Sequence, residues 1–164
     1  LQGADNTLYG PTDIIVTENT SEESLKAYGN AVGSVLLRYT SIPQEGELAI
    51  VGEALSVEDA EILKGLDPII EIYDSVITEM LAIRVPPPMF EAHLALVNSL
   101  ATISQSIRGM QQLISDPISG MSSIGLYKYS TNQLTKALTD IRSLLIAKRI
   151  SFGPLEPGRV FRIN

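Results

Sequence analysis

The sequence predicts an all-α protein, an antiparallel bundle of about four amphipathic helices. The main evidence is a run of apolar residues in helical period from Ser56 to Arg149, interrupted by two proline signals, Pro86-Pro87-Pro88 and Asp116-Pro117. Cysteine is absent, so neither disulfides nor a zinc–thiolate site can hold the fold. With 164 residues, the chain has the length of one domain, residues 1–164, that folds through its apolar core.

The two ends of the chain lack a helical pattern. Residues 1–20 are polar, with Ile14-Ile15-Val16 as their only β-like run, and predict an extended arm. Residues 151–164 contain two glycines and two prolines and predict a non-helical, irregular tail. We expect the apolar residues of this tail to lie in a surface groove or to pair with the arm: Val160, Phe161 and Ile163.

The first helix is expected over about residues 21–39. Thr20 with Glu23 matches a capping box at its start. Gly29 and Gly33 lie four residues apart on it, and in a soluble helix this spacing favours the close approach of a neighbouring backbone.

The next segment predicts a loop and then a second helix. Residues 40–55 contain one proline and two glycines and are expected to form a loop, with at most one helical turn at 47–51. Ser56 with Asp59 forms a second capping box and opens the helix. Asp67-Pro68 falls within it, so we expect a kink or a split near Gly65.

Prolines also delimit the last two helices. Pro86-Pro87-Pro88 ends the second helix, and the third is expected over about 88–114. Asp116 is placed to cap the fourth helix with Pro117 at its first position, and the helical pattern then continues to Arg149.

Charge is distributed unequally along the chain. Residues 1–80 carry fifteen acids against three bases, a balance of −12, whereas residues 81–164 carry four acids against nine bases, a balance of +5. The two halves therefore attract, which either holds them together within one bundle or joins subunits. The bases are scattered singly with few aromatic neighbours, so we predict no nucleic-acid partner.

The residues expected of an enzyme or a metal site are almost missing. His93 is the only histidine, so a di-iron bundle, which needs two Glu-x-x-His motifs, is excluded. The serines form no Gly-x-Ser-x-Gly elbow, and the acids do not have calcium-loop spacing. We therefore predict no catalytic residue, no metal and no cofactor. We expect His93 to be a partly buried or surface residue of its helix, the alternative being a pH-sensitive or ligand-contacting role.

Two groups of residues are candidates for binding. Tyr127, Lys128 and Tyr129 form a possible interface patch, since tyrosine combines an apolar ring with a polar hydroxyl; alternatively one of the two tyrosines packs in the bundle. Four polar residues of the third helix would line a ligand pocket between helices: Ser104, Gln105, Arg108 and Gln111.

Two stretches, residues 24–30 and 116–129, resemble segments of uncharacterised exported helical proteins of small-genome candidate-phylum bacteria. The resemblance covers about a quarter of the chain and brings no functional residues. It implies an extracytoplasmic soluble domain. The chain opens on Leu1 with no signal-peptide pattern in residues 1–12, so we expect any targeting segment to have been removed.

These observations rank the functions. We expect first a non-enzymatic interaction or structural module, extracytoplasmic or at the cell surface, that binds a protein partner or self-assembles. The alternative is a small-ligand-sensing bundle, and an enzyme ranks third. A cytoplasmic location remains the alternative because a chain without cysteine suits either compartment. No stretch of eighteen uninterrupted apolar residues predicts a membrane span.

Overall fold

The fold is all-α, as the sequence predicts. The computed structural model describes residues 8–40 and 46–162. Within these residues lie five α-helices, against the predicted count of about four: α1 (Glu22–Thr40), α2 (Glu47–Val57), α3 (Asp67–Leu81), α4 (Phe90–Met110) and α5 (Pro117–Ala147). Two short strands, β1 (Ile15–Val16) and β2 (Arg84–Val85), pair in parallel.

The cap of α1 lies one residue later than predicted, and the helix begins at Glu22. The Oγ of Ser21 accepts a hydrogen bond from the backbone N–H of Ser24 at 3.2 Å. Ser21 therefore satisfies one of the free N–H groups of the first turn, and the prediction of Thr20 as the cap is wrong.

The predicted loop at 40–55 is wrong for most of its length, because α2 occupies Glu47–Val57. Residues 41–45 lie outside the described part of the chain. The helix forms because Ile50, Val51 and Ala54 share one face and are buried. Packing on this face outweighs the low helix propensity of Gly52, which is exposed.

The predicted second helix is split. Ser56 lies inside α2 and its hydroxyl donates to the carbonyl of Glu53, so Ser56 does not cap. Asp59 caps instead a 3-10 helix, Ala60–Leu66, by accepting from the N–H of Glu61 at 2.9 Å. Helix α3 then starts with Pro68 in its first turn, where a missing N–H costs nothing.

Helices α4 and α5 form an antiparallel pair. The cap at Asp116 is confirmed, because its Oδ1 accepts from the N–H of Ser119 at 3.2 Å. Near the connecting turn, a Cβ on Gly109 would overlap Ser123. Toward the opposite end, Ala95 of α4 and Leu144 of α5 line one cleft, so the two helices lie near each other toward both ends of α4.

The N-terminal arm is bound to the connection between α3 and α4 and is extended only in part. It contains a 3-10 turn at Pro11–Asp13 before β1 pairs with β2. Upstream of that turn, the side chain of Asn98 accepts from the N–H of Tyr9 at 2.8 Å and donates to its carbonyl at 3.1 Å. Residues 1–7 of the predicted arm lie outside the described residues.

The prediction of a non-helical tail is wrong at Pro157–Phe161, which forms a 3-10 helix. The tail packs along α1 rather than on the arm. A Cβ on Gly29 would overlap the ring of Phe152, and one on Gly33 would overlap the carbonyl oxygen of Pro157. The close approach predicted from this glycine pair is therefore confirmed, and the tail supplies the neighbour; Ile163 lies outside the described residues.

Two apolar clusters stabilise the fold. The main core joins α1, α3, α4, α5 and the tail, with Val32, Met80, Leu96 and Ile141 fully buried in it. The second core joins α2, the 3-10 helix after it and the adjacent parts of α3 and α4. Tyr73 and Leu134 contact both cores. Within the described residues, none of the helices has the length and apolar character needed to cross a bilayer.

Candidate functional site

Three of the four residues predicted to line a ligand pocket meet in one cleft. Ser104, Gln105 and Arg108 lie along one side of a cleft of about 310 Å³ on α4. The other residues that line it come from the arm, α3 and α4: Leu8, Tyr9, Asp74, Ile77 and Ala101. The clamp between Asn98 and the Tyr9 backbone fixes the arm at this position. We refer to this cleft of eight lining residues as the polar cleft.

The polar groups of the polar cleft already bind one another. The hydroxyl of Ser104 donates to Oδ1 of Asp74 at 2.8 Å, and the guanidinium of Arg108 pairs with Oδ2 of the same carboxylate. Asp74 therefore makes a tertiary contact that joins α3 to α4. Among the described residues, every buried side-chain nitrogen or oxygen has a hydrogen-bond partner.

Gln111 does not line the polar cleft. Its side-chain amide donates to Oδ1 of Asp67 at 2.6 Å, just beyond the end of α4. This bond ties the start of α3 to the turn after α4. The four predicted pocket residues are thus divided between a cleft and a structural contact.

The predicted interface patch is also divided. Tyr127 is half-buried and packs against the second core, where burial, followed by the charge of Glu47, raises its pKa to about 12. Tyr129 is 61% exposed and Lys128 is exposed beside it. Tyr129 and Lys128 are available to a partner, and Tyr127 holds α5 against α2 and α3.

Tyr129 also belongs to a larger exposed surface on α5, which the sequence does not predict. Ile118 is 83% exposed and Met121 is 59% exposed, and with Leu126 and Tyr129 they follow one side of α5. Gly125 lies between them, with no heavy atom within 4 Å of the position its Cβ would take. We refer to these five residues as the α5 face.

The α5 face is apolar and uncharged. No charged residue occurs in α5 before Lys128. Single exposed apolar side chains are common on proteins, but a continuous group of them marks an interaction surface. Residues 118, 121, 125 and 129 are spaced by three and four, as on one side of a helix. This spacing could have identified the α5 face, but a stripe buried in the core has the same period.

Two further clefts adjoin the C-terminal end of α1 and share Leu36 and Thr40. One, of about 390 Å³, is lined by α1, α5 and the tail and contains Arg142 at its edge. The other, of about 180 Å³, lies between α1, α3, α4 and α5 and is bounded by Tyr39 and Tyr73. Both are mainly apolar and contain no group of catalytic residues.

His93 is fully buried, so the expectation of a partly buried or surface residue is wrong. Its Nε2 lies 3.0 Å from the carbonyl oxygen of Met80, and its Nδ1 lies 3.1 Å from the hydroxyl of Tyr28. Burial lowers the pKa of His93 to about 4, against a smaller opposite effect of the bond to Met80. The histidine is a structural link, closed to solvent.

In the part of the chain that the structure describes, no group of three or more histidine, aspartate or glutamate side chains could hold a metal ion. In comparisons with known proteins, no family model, curated protein or solved structure matches this chain. Any function assigned to it rests on the surfaces described above.

Proposed function

We propose that this chain is a non-enzymatic interaction module, in which helices packed as an antiparallel bundle present the α5 face to a protein partner. The observation that carries the proposal is the exposure of Ile118, Met121 and Tyr129 along one uncharged side of a helix. Aromatic residues and methionine are enriched in protein interfaces, whereas charged residues are depleted from interface centres. A helix of this kind offers its partner a row of apolar anchors spaced by three and four residues.

We propose further that the module acts outside the cytoplasm or at the cell surface. The support is the resemblance at residues 24–30 and 116–129, which is to exported proteins; the absence of cysteine is compatible with this location but equally with the cytoplasm. Fractionation of source cells, with an antibody against the folded chain, tests the location. Recovery with cytosolic markers alone would contradict it.

A matched pair of glycine substitutions tests the interaction surface. Gly125 and Gly52 both lie in helices, and both have open space where a Cβ would stand. Gly125→Glu places a charge in the α5 face, and Gly52→Glu places the same charge on α2. Both variants are expected to fold as the wild type does.

The measurement is quantitative affinity capture from source cells with wild type and both variants as bait. We expect protein species, including the chain itself, that wild type and G52E retain and G125E loses. If the three baits retain the same species in equal amount, the α5 face is not an interaction surface and the proposal fails.

The polar cleft supports a second candidate function, the sensing of a small ligand. Asp74 and Arg108 present opposite charges side by side, each about half exposed, and Tyr9 covers one edge of the cleft. A small zwitterion that offers a carboxylate to Arg108 and an ammonium to Asp74 would match this arrangement.

Thermal unfolding with a panel of amino acids tests this second candidate. A ligand that binds the folded state raises the unfolding temperature in a concentration-dependent way. The shift should disappear in Arg108→Met and persist in Arg84→Met, which removes an exposed arginine on β2. A panel that shifts neither the wild type nor the control counts against a sensing role.

A further inference from the structure

We infer that the partner of the α5 face is a second copy of this chain, bound as an antiparallel helix pair that crosses at Gly125. The inference rests on the proposed interaction function and names its partner. Four features of the described helix support it: the open space at Gly125, the position of Met121 and Tyr129 four residues to either side of that glycine, the position of the charges and the size of the exposed face.

Gly125 gives the crossing point. A helix pair approaches most closely where a residue has no side chain, and nothing lies within 4 Å of the position a Cβ would take at Gly125. Ser122 is exposed beside it and is also small. At this turn of α5, no side chain therefore keeps the backbone of a second helix at a distance.

The flanking residues are self-complementary about Gly125. Met121 lies four residues before it and Tyr129 four residues after it, and the two are 59% and 61% exposed. An antiparallel crossing with two-fold symmetry places Met121 of one copy opposite Tyr129 of the other, twice over. A thioether against an aromatic ring is a favourable contact, so the same pairing occurs on both sides of the crossing.

Charge selects the antiparallel direction. The nearest charged residue on α5, Lys128, follows Gly125, and the residues from Pro117 to Tyr127 are uncharged. Lys136, further along, pairs with Asp140 of the same helix. A parallel pair would set Lys128 against Lys128. An antiparallel pair separates the lysines to opposite sides of the crossing and also opposes the two helix dipoles.

The size of the face sets the strength of the pairing. At roughly 200 Å² for each fully exposed large side chain, the exposed fractions of Ile118, Met121, Leu126 and Tyr129 amount to about 500 Å², against about 800 Å² per partner in a standard interface. The pair is therefore a weak, concentration-dependent dimer. Because its contacts are apolar, it differs from an association driven by the charge difference between the two halves of the chain.

Sedimentation of the purified chain over a range of concentrations tests the dimer. Wild type and G52E should shift from monomer to dimer with rising concentration, and G125E should remain a monomer. The shift should survive at about 1 M salt, where charge-driven contacts are screened. A monomer at every concentration overturns the inference, as does a dimer that G125E retains or that salt dissolves.

Because the chain has no cysteine, single introduced cysteines report the direction of the pair. In a mixture of M121C and Y129C, oxidation should form the mixed disulfide more rapidly than either symmetric one, and G52C should form none above its diffusional rate. Dominant symmetric disulfides would indicate a parallel pair and contradict the inference.

The proposed function and this inference fail in different ways. A purified chain that stays monomeric, together with an α5-dependent partner captured from cells, overturns self-association and leaves the interaction module standing. If wild type, G52E and G125E capture the same species in equal amounts, both the proposed function and the dimer are contradicted.

Discussion

The hydroxyl of Tyr28 lies 3.1 Å from Nδ1 of His93, and this bond joins α1 to α4 inside the main core. The other ring nitrogen, Nε2, faces the carbonyl oxygen of Met80 at 3.0 Å. A carbonyl only accepts, so the neutral ring carries its proton on Nε2, and Tyr28 donates to Nδ1. The two rings also meet edge to face, with centroids 5.6 Å apart.

Stability should fall on mild acidification because of His93. Its pKa is lowered from 6.5 to about 4 in the folded protein, so between these values the unfolded chain binds a proton that the folded chain does not. Unfolding is therefore favoured as the pH falls through this window. We expect a loss of about 2 kcal/mol between pH 7 and pH 5 from this group.

Urea unfolding of wild type and His93→Gln measures this loss. The variant should be less stable at pH 7, where it loses the fitted hydrogen bonds, and should show a flatter dependence on pH. Equal slopes for the two proteins would mean that another group controls the acid response. Because the chain has a single histidine, NMR can check its protonation state directly. The chemical shifts of the His93 ring should still be those of the neutral form at pH 5.

Substitution of Gly33 should detach the tail. A Cβ there would overlap the carbonyl oxygen of Pro157, and backbone cannot move aside as the end of a side chain can. We expect Gly33→Ala to lower the free energy of unfolding by about 1–3 kcal/mol, the usual cost of overpacking. Hydrogen exchange should rise at Pro157–Phe161 and its flanking residues.

Gly52→Ala is the matched control for Gly33→Ala. Gly52 also lies within a helix, but nothing lies within 4 Å of its Cβ position. This substitution should stabilise the protein by about 0.5–1 kcal/mol, because alanine has the higher helix propensity. If both variants change the free energy of unfolding in the same way, the tail moves away from α1 without loss of stability, and the prediction for Gly33→Ala is wrong.

The sequence predicts those parts of the fold that local chemistry determines. Asp116 beside Pro117 predicts the start of α5, and the Gly29/Gly33 pair predicts a close neighbour on α1. Both are confirmed, because capping and the absence of a Cβ act over a few residues. The all-α class follows likewise from the period of the apolar residues.

Tertiary contacts decide the remainder. Helix α2 is predicted as a loop because Gly46 and Gly52 have low helix propensity, and only burial of Ile50 and Ala54 in the second core overrides them. For the polar cleft, the sequence places Ser104 and Arg108 on one face of a helix and so predicts that they lie together. It does not identify their partner Asp74, because Asp74 lies on another helix. The α5 face is missed because helical period alone does not tell an exposed stripe from a buried one.

Removal of the cap at Asp116 should destabilise α5 at its N-terminus. Its carboxylate accepts from the N–H of Ser119 at 3.2 Å and from the Ser119 hydroxyl at 2.7 Å. We expect Asp116→Ala to lower the unfolding temperature by about 3 °C. Asp116→Asn keeps an acceptor at the same place and should lose less; equal losses would assign the effect to charge.

The last prediction concerns the contact that joins the two oppositely charged halves of the chain. Two of the five ion pairs among the described residues connect these halves, Asp74–Arg108 and Lys26–Glu156. Only Asp74–Arg108 sets an acid of the first half against a base of the second, whereas Lys26–Glu156 has the opposite sense. Internal pairing therefore accounts for the charge difference at this one contact. Asp74 and Arg108 are 47% and 48% exposed, so solvent weakens the attraction.

A double-mutant cycle of Asp74→Ala and Arg108→Ala should therefore give a coupling energy below about 1 kcal/mol, which falls further in about 1 M salt. Asp74→Ala alone should cost more than Arg108→Ala, because it also leaves the hydroxyl of Ser104, a residue only 3% exposed, without its acceptor. Ser104→Ala should remove that excess when combined with Asp74→Ala. An excess that persists would mean that Asp74 stabilises the fold through its charge rather than through the serine.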